Sequence, residues 1–213
     1  MYLPFCLLGI FLGFLPLSLF FLLEKKLNPE IKLIFPFLFL TFFSSCYELV
    51  FSVILKVDVS VWFKIYPLLE FFTLIHYFYK LLKGKYKYMY FFFSALYLAC
   101  FGLIVFQGKM DSFMEGDSYL QVIESVFVGT AILLWMPYAF ISLQQNSLLK
   151  YPHFYFISGL LFYFSGILFL VLFGSLLLKK GDQTFMDSWM LNLFLIIAFR
   201  ILLLIGIWKG RTK

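Results

Sequence analysis

The chain has 213 residues and a formal charge of +6, with 63% hydrophobic and 23% aromatic residues against only 13% charged. That balance lies far outside the range of water-soluble domains and assigns the chain to a lipid bilayer. It leaves no room for a soluble domain, and because most Lys residues flank apolar runs instead of forming a basic stripe, nucleic acid is excluded as a partner.

A crossing needs about 20 apolar residues, and the hydropathy pattern predicts seven helices, over 1–23, 31–55, 61–79, 89–106, 119–143, 154–178 and 189–208. The expected fold class is all-α, one polytopic integral membrane bundle of seven transmembrane helices forming a single domain over 1–213. The first helix carries Glu24, Lys25 and Lys26 after its apolar run, the reverse of a secretory leader, and is expected to be retained. Its "GIFLG" stretch, Gly9 to Gly13, is a GxxxG pattern suited to close helix packing, within the bundle or between chains. In the second helix Thr41, Ser44, Ser45, Glu48 and Ser52 share one stripe, since a helix turns about 100° per residue and positions three, four and seven apart fall together. The third repeats the pattern with Tyr66, Glu70, Thr73 and Tyr77, and its break from the fourth rests on Lys80, Lys83, Lys85 and Lys87. The fifth aligns Gln121, Glu124, Trp135, Tyr138 and Ser142; the sixth has a small strip at Gly159 and Gly166; the seventh places Asn192 and Arg200 on adjacent faces. Pro16, Pro36, Pro67 and Pro137 fall inside the predicted helices as kink sites.

Orientation follows from the basic residues on alternate sides. One side collects Lys25, Lys26, Lys32, Lys80, Lys83, Lys85, Lys87, Lys150, Lys209, Arg211 and Lys213. The other holds Lys56, Lys64, Lys109, Lys179 and Lys180 together with Asp58, Asp111, Glu115, Asp117, Asp182 and Asp187. The amino terminus is predicted outside and the carboxy terminus in the cytoplasm.

Polar stripes on three helices predict a bundle with a polar interior. The candidate ligand-binding or proton-linked residues are Glu48, Tyr66, Glu70, Thr73, Glu124, Trp135, Tyr138, Asn192 and Arg200. Counted at about 1.5 Å per residue, Glu48, Glu124 and Asn192 are shallow from the outer side, while Glu70 and Arg200 meet near the middle. An isolated mid-membrane Arg costs about 2.5 kcal/mol or more, so a Glu70–Arg200 pair is expected at the floor of an outward-open pocket. The competing reading makes these residues interhelical hydrogen-bond glue. Arg200 speaks against it, because a guanidinium suits carboxylate or phosphate better than it suits glue.

Other residues carry less. His76 and His153 read as interfacial, and Cys6, Cys46 and Cys100 match neither a disulfide framework nor a metal spacing. A retinal protein needs a Lys in its last helix, where this chain has Arg200, and a seven-helix zinc hydrolase needs more His ligands than two. No metal or other cofactor is expected. Two glutamates at similar depth leave acid/base catalysis open, with nothing further to favour an enzyme.

The stretches "YPLLEFFTLIHYFYK" from Tyr66, "HFYFISGLLFYFSGILFLVLF" from His153 and "WMLNLFLIIAFRILLLIGIWK" from Trp189 resemble the small seven-helix membrane proteins common in Bacteroidota. Those look like free-standing versions of the membrane sensor regions of histidine kinases. The resemblance implies a bacterial inner-membrane protein that signals without chemistry of its own, through a partner such as a histidine kinase, with a small ligand or a lipid entering the pocket. A small-solute or proton-coupled transporter and a structural subunit of a membrane complex are the alternative expectations.

Overall fold

The computed structural model describes residues 2–57, 60–106, 115–142, 148–178 and 182–211. Seven helices follow in chain order: α1 Tyr2–Leu23, α2 Phe35–Tyr47, α3 Ser60–Leu81, α4 Lys87–Phe106, α5 Glu115–Ser142, α6 Pro152–Leu178 and α7 Asp182–Lys209. Among the described residues there is no β-strand, only an isolated bridge between Leu27 and Arg211. Among the described residues six stretches are long and apolar enough to cross a membrane, and α3 is not among them. The reason is compositional: its 22 residues include Lys64, Glu70, His76 and Lys80 beside Trp62, Tyr66, Tyr77 and Tyr79, whose polar tips lower its hydropathy.

The second predicted helix is three windings in series. Asn28 caps a tight 3-10 turn over Pro29–Ile34, its side chain accepting from Glu30 N at 3.2 Å. The α-helical part then begins with Pro36 in its first turn, where no N–H is required, so this proline is a helix starter and not the kink expected from the sequence. From Glu48 to Ile54 the helix widens to a π pitch, with Leu55 N donating to Val50 O at 2.9 Å. Pro16, Pro67 and Pro137 are interior to α1, α3 and α5. Between α3 and α4 the chain reverses through Lys83 and Gly84, both at positive φ, and Gly84 N closes the end of α3 on Tyr79 O at 2.8 Å.

The core is aromatic. Phe71 stacks on Tyr97 of α4 with ring centroids 4.0 Å apart, Phe37 meets Phe156 and Phe199, and Tyr77 meets Phe156 edge-on at 4.7 Å. Glycines set the approach of α7 to α6: Gly159 faces Phe199 and Leu202, and Gly166 faces Leu195. The α1 glycines pack inside the bundle, Gly13 against Ser45 of α2 and Arg200 of α7, which decides between the two uses the GxxxG left open. Large apolar residues such as Phe11, Phe91 and Phe106 face outward, as lipid contact requires.

Contacts gather one end of the bundle. Asn28 N donates to Gly210 O at 3.0 Å, Tyr151 OH donates to Glu30 Oε2 at 3.5 Å, and Tyr77 OH meets His153 Nδ1 at 2.9 Å. The α1–α2 link, the end of α3, the start of α6 and the end of α7 therefore lie together. Asp58, Lys109, Asp111, Lys179 and Lys180, used to judge the opposite side, lie outside the described residues.

Candidate functional site

A partly open cavity of about 600 Å³ lies between α2, α3, α5, α6 and α7. The helical period delivers its polar lining. Thr41, Ser44, Glu48 and Ser52 come from one face of α2 and its π continuation, Tyr66 and Glu70 from α3, Gln121 and Glu124 from α5, and Asn192 and Arg200 from α7. Of the nine residues singled out in the sequence, Glu48, Tyr66, Glu70, Glu124, Asn192 and Arg200 are thus brought together.

The other three are elsewhere. Thr73 donates to Glu70 O at 2.7 Å, so its hydroxyl serves the α3 backbone. Trp135 is on the same face as Glu124 but three turns further along α5, where it is buried and stacks parallel to Tyr151. Tyr138 is exposed on the outside of α5. Tyr77, on the α3 stripe, points to His153. His153, at the start of α6 near the end of the bundle, is itself 1% exposed, its ring packed inside the protein. Ser45 turns from the cavity toward Gly13.

Arg200 does not pair directly with Glu70. Its Nη1 donates to the carbonyl of Gly9, and among the described residues no carboxylate is within ion-pair distance of it. The absence of side chains at Gly9 and Gly13 makes a notch on α1 in which the guanidinium lies, 4.0 and 3.0 Å from where their Cβ atoms would stand. It nevertheless lines the same cavity as Glu48 and Glu70, and Coulombic attraction in a low-dielectric interior extends past contact distance.

The carboxylates differ in their surroundings. Glu48 accepts from Ser44 Oγ at 3.4 Å, and Ser44 in turn accepts from Trp62 Nε1 at 3.1 Å. Glu70 accepts from Tyr66 OH at 3.4 Å. Glu124 is 2% exposed, its Oε1 has no hydrogen-bond partner, and it lines the cavity together with Glu70. Asn192 Oδ1 is likewise buried and unpartnered. Sequence reasoning missed Tyr163, which lines the cavity and stacks on Phe199 with centroids 5.5 Å apart. No polar stripe marked α6, so a lone Tyr in a run of Phe gave no signal.

Among the described residues no group of three or more His, Cys, Asp or Glu is arranged to hold a metal ion, and Cys6, Cys46 and Cys100 are free thiols. The arrangement can therefore bind a small polar solute through charge and hydrogen bonds. No family model matches the chain, and neither a curated protein nor a solved structure matches it.

Proposed function

We propose that this chain is a receptor-like membrane protein of seven crossings, amino terminus outside and carboxy terminus cytoplasmic, whose outward-facing cavity takes a small solute and whose helices relay its presence to a partner protein. The observation that carries the reading is the 600 Å³ cavity with buried polar atoms that have no partner within the chain. Such groups are costly in a membrane interior and mark ligand sites by default. Support for an odd number of crossings comes from the contact of the α1–α2 link with the residues after α7, since both must then be on one side. The basic residues Lys25, Lys26, Lys80 and Lys83 favour the cytoplasm for that side.

Relay, in preference to passage, is supported by what lies beyond the cavity. Phe156, Leu160, Phe78 and Tyr77 are at most 1% exposed, and the Tyr77–His153 bond ties α3 to α6 beneath them. A solute that moves α3 against α6 changes this packed layer without opening it. The partner suggested by the sequence resemblance is a histidine kinase in the bacterial inner membrane. Site-specific photo-crosslinking from Lys83 and Lys85 in cells tests this. A single signalling partner in stoichiometric yield is expected, whereas recovery of the chain alone, with solute uptake by vesicles containing it, would overturn the relay.

One observation favours a second reading, a small-solute or proton-coupled carrier. The π segment beginning at Glu48 departs from α geometry beside the cavity, and irregular helices of this kind are where transporters bind their cargo.

A further inference from the structure

The charges lining the cavity do not balance. Glu48, Glu70 and Glu124 face it with Arg200 as the single cation among its lining residues, and Arg200 already donates to Gly9 O. The imbalance is local. Glu48, Glu70 and Glu124 come to the cavity from α2, α3 and α5, while Arg200 lies in its notch on α1 with no carboxylate within ion-pair distance among the described residues. Glu124 is the residue whose Oε1 is buried without a donor. Left alone such an oxygen is neutralised by protonation, whereas a positively charged N–H donor from a ligand satisfies it with the carboxylate ionised.

The surroundings narrow the donor. A volume of about 600 Å³ far exceeds a bare inorganic cation, and the described carboxylates do not converge as metal ligands. Tyr66 and Tyr163 bring aromatic rings to the same cavity, which favour an organic ammonium through their π faces. Asn192 Oδ1 adds an acceptor with no partner of its own. Resting on the solute-binding role argued above, we propose that the cavity holds a small organic amine, its ammonium group seated between Glu70 and Glu124.

The test uses the full chain purified in detergent, with phenethylamine as probe and phenylacetate and 2-phenylethanol as its anionic and neutral counterparts. Binding is read by the shift in Tm and by isothermal titration. Phenethylamine alone is expected to bind, with Glu124→Gln weakening it about tenfold or more, the worth of one charge-assisted contact, and Glu124→Asp restoring part of it. Asn192→Leu, which keeps every charge, is a second variant should Glu124→Gln fail to fold, and it is expected to weaken the amine severalfold. Preference for phenylacetate, or equal binding of the amine to the variants and the native chain, would overturn the ammonium assignment and leave the solute site standing. Binding of none of the three, while a maleimide still reaches Gln121→Cys from outside, would overturn the amine class alone. Failure of that labelling would instead remove the outward cavity on which the inference rests.

Discussion

Gly13→Ala is the substitution whose cost the structure fixes most directly. A Cβ built on Gly13 overlaps Ser45 Oγ and stands 3.0 Å from both Ser45 Cβ and Arg200 Nη1. Ser45 is fully buried and its Cβ also stands 3.0 Å from the new methyl, so turning the hydroxyl alone does not relieve the contact and α2 must move off α1 or Arg200 leave its notch. Overpacking of this kind costs about 1–3 kcal/mol, and the gain in helix propensity from Gly to Ala returns up to about 1 kcal/mol. The net expectation is a loss of about 1–2 kcal/mol. Gly102→Ala on α4 is the control: nothing lies within 4 Å of its new Cβ, so it should be neutral or stabilising by up to about 1 kcal/mol. Combining Gly13→Ala with Ser45→Ala removes the overlapping oxygen, which has no hydrogen-bond partner, and should recover part of the loss; the Cβ–Cβ approach keeps the rest. Unfolding in mixed micelles, followed by tryptophan fluorescence, measures the three variants against the native chain. Gly13→Ala equal in stability to Gly102→Ala would refute the notch.

Two more substitutions probe the interior. Arg200→Met leaves the Gly9 carbonyl without its charged donor and should cost about 1–3 kcal/mol; adding Glu70→Gln should recover part of that in the same assay, and strictly additive losses would show that the two residues do not interact. Tyr77→Phe deletes the hydroxyl of a 2.9 Å bond whose partner His153 is 1% exposed, so a loss of about 1–2 kcal/mol is expected, and an unchanged unfolding midpoint would deny the bond its place under the cavity.

The helical period explains why much of the site was legible. Glu48, Glu70 and Glu124 each stand on a stripe that repeats every three or four residues, and a stripe of polar residues in an apolar helix has only the bundle interior to face. Depth was the weaker guide. Trp135 shares the face of Glu124 but lies 11 residues on, about 16 Å along the helix, which carries it past the cavity to Tyr151. The expected Glu70–Arg200 contact failed because equal depth does not fix lateral position. Where Arg200 goes depends on Gly9 and Gly13, nearly 200 positions earlier, and a GxxxG read alone does not say what fills it. His153 follows the same logic. Next to Pro152 at a helix start it looks interfacial, and only the return of Tyr77 from α3 and Tyr151 from the preceding turn buries it. Seven helices were legible from hydropathy, and α3 is the one whose apolar surface is diluted by aromatic residues with polar tips and by Lys64, Glu70, His76 and Lys80.

The central claim is a polar cavity open to the outside. It is tested most directly by labelling intact cells with a membrane-impermeant maleimide, using Gln121→Cys and Lys83→Cys in a background where Cys6, Cys46 and Cys100 are replaced by Ala. Gln121 lines the cavity and Lys83 is exposed in the α3–α4 turn. Gln121→Cys should react in intact cells and Lys83→Cys only after permeabilisation. The reverse pattern would invert the orientation, and a Gln121→Cys variant that is folded yet unreactive under both conditions would contradict an accessible cavity.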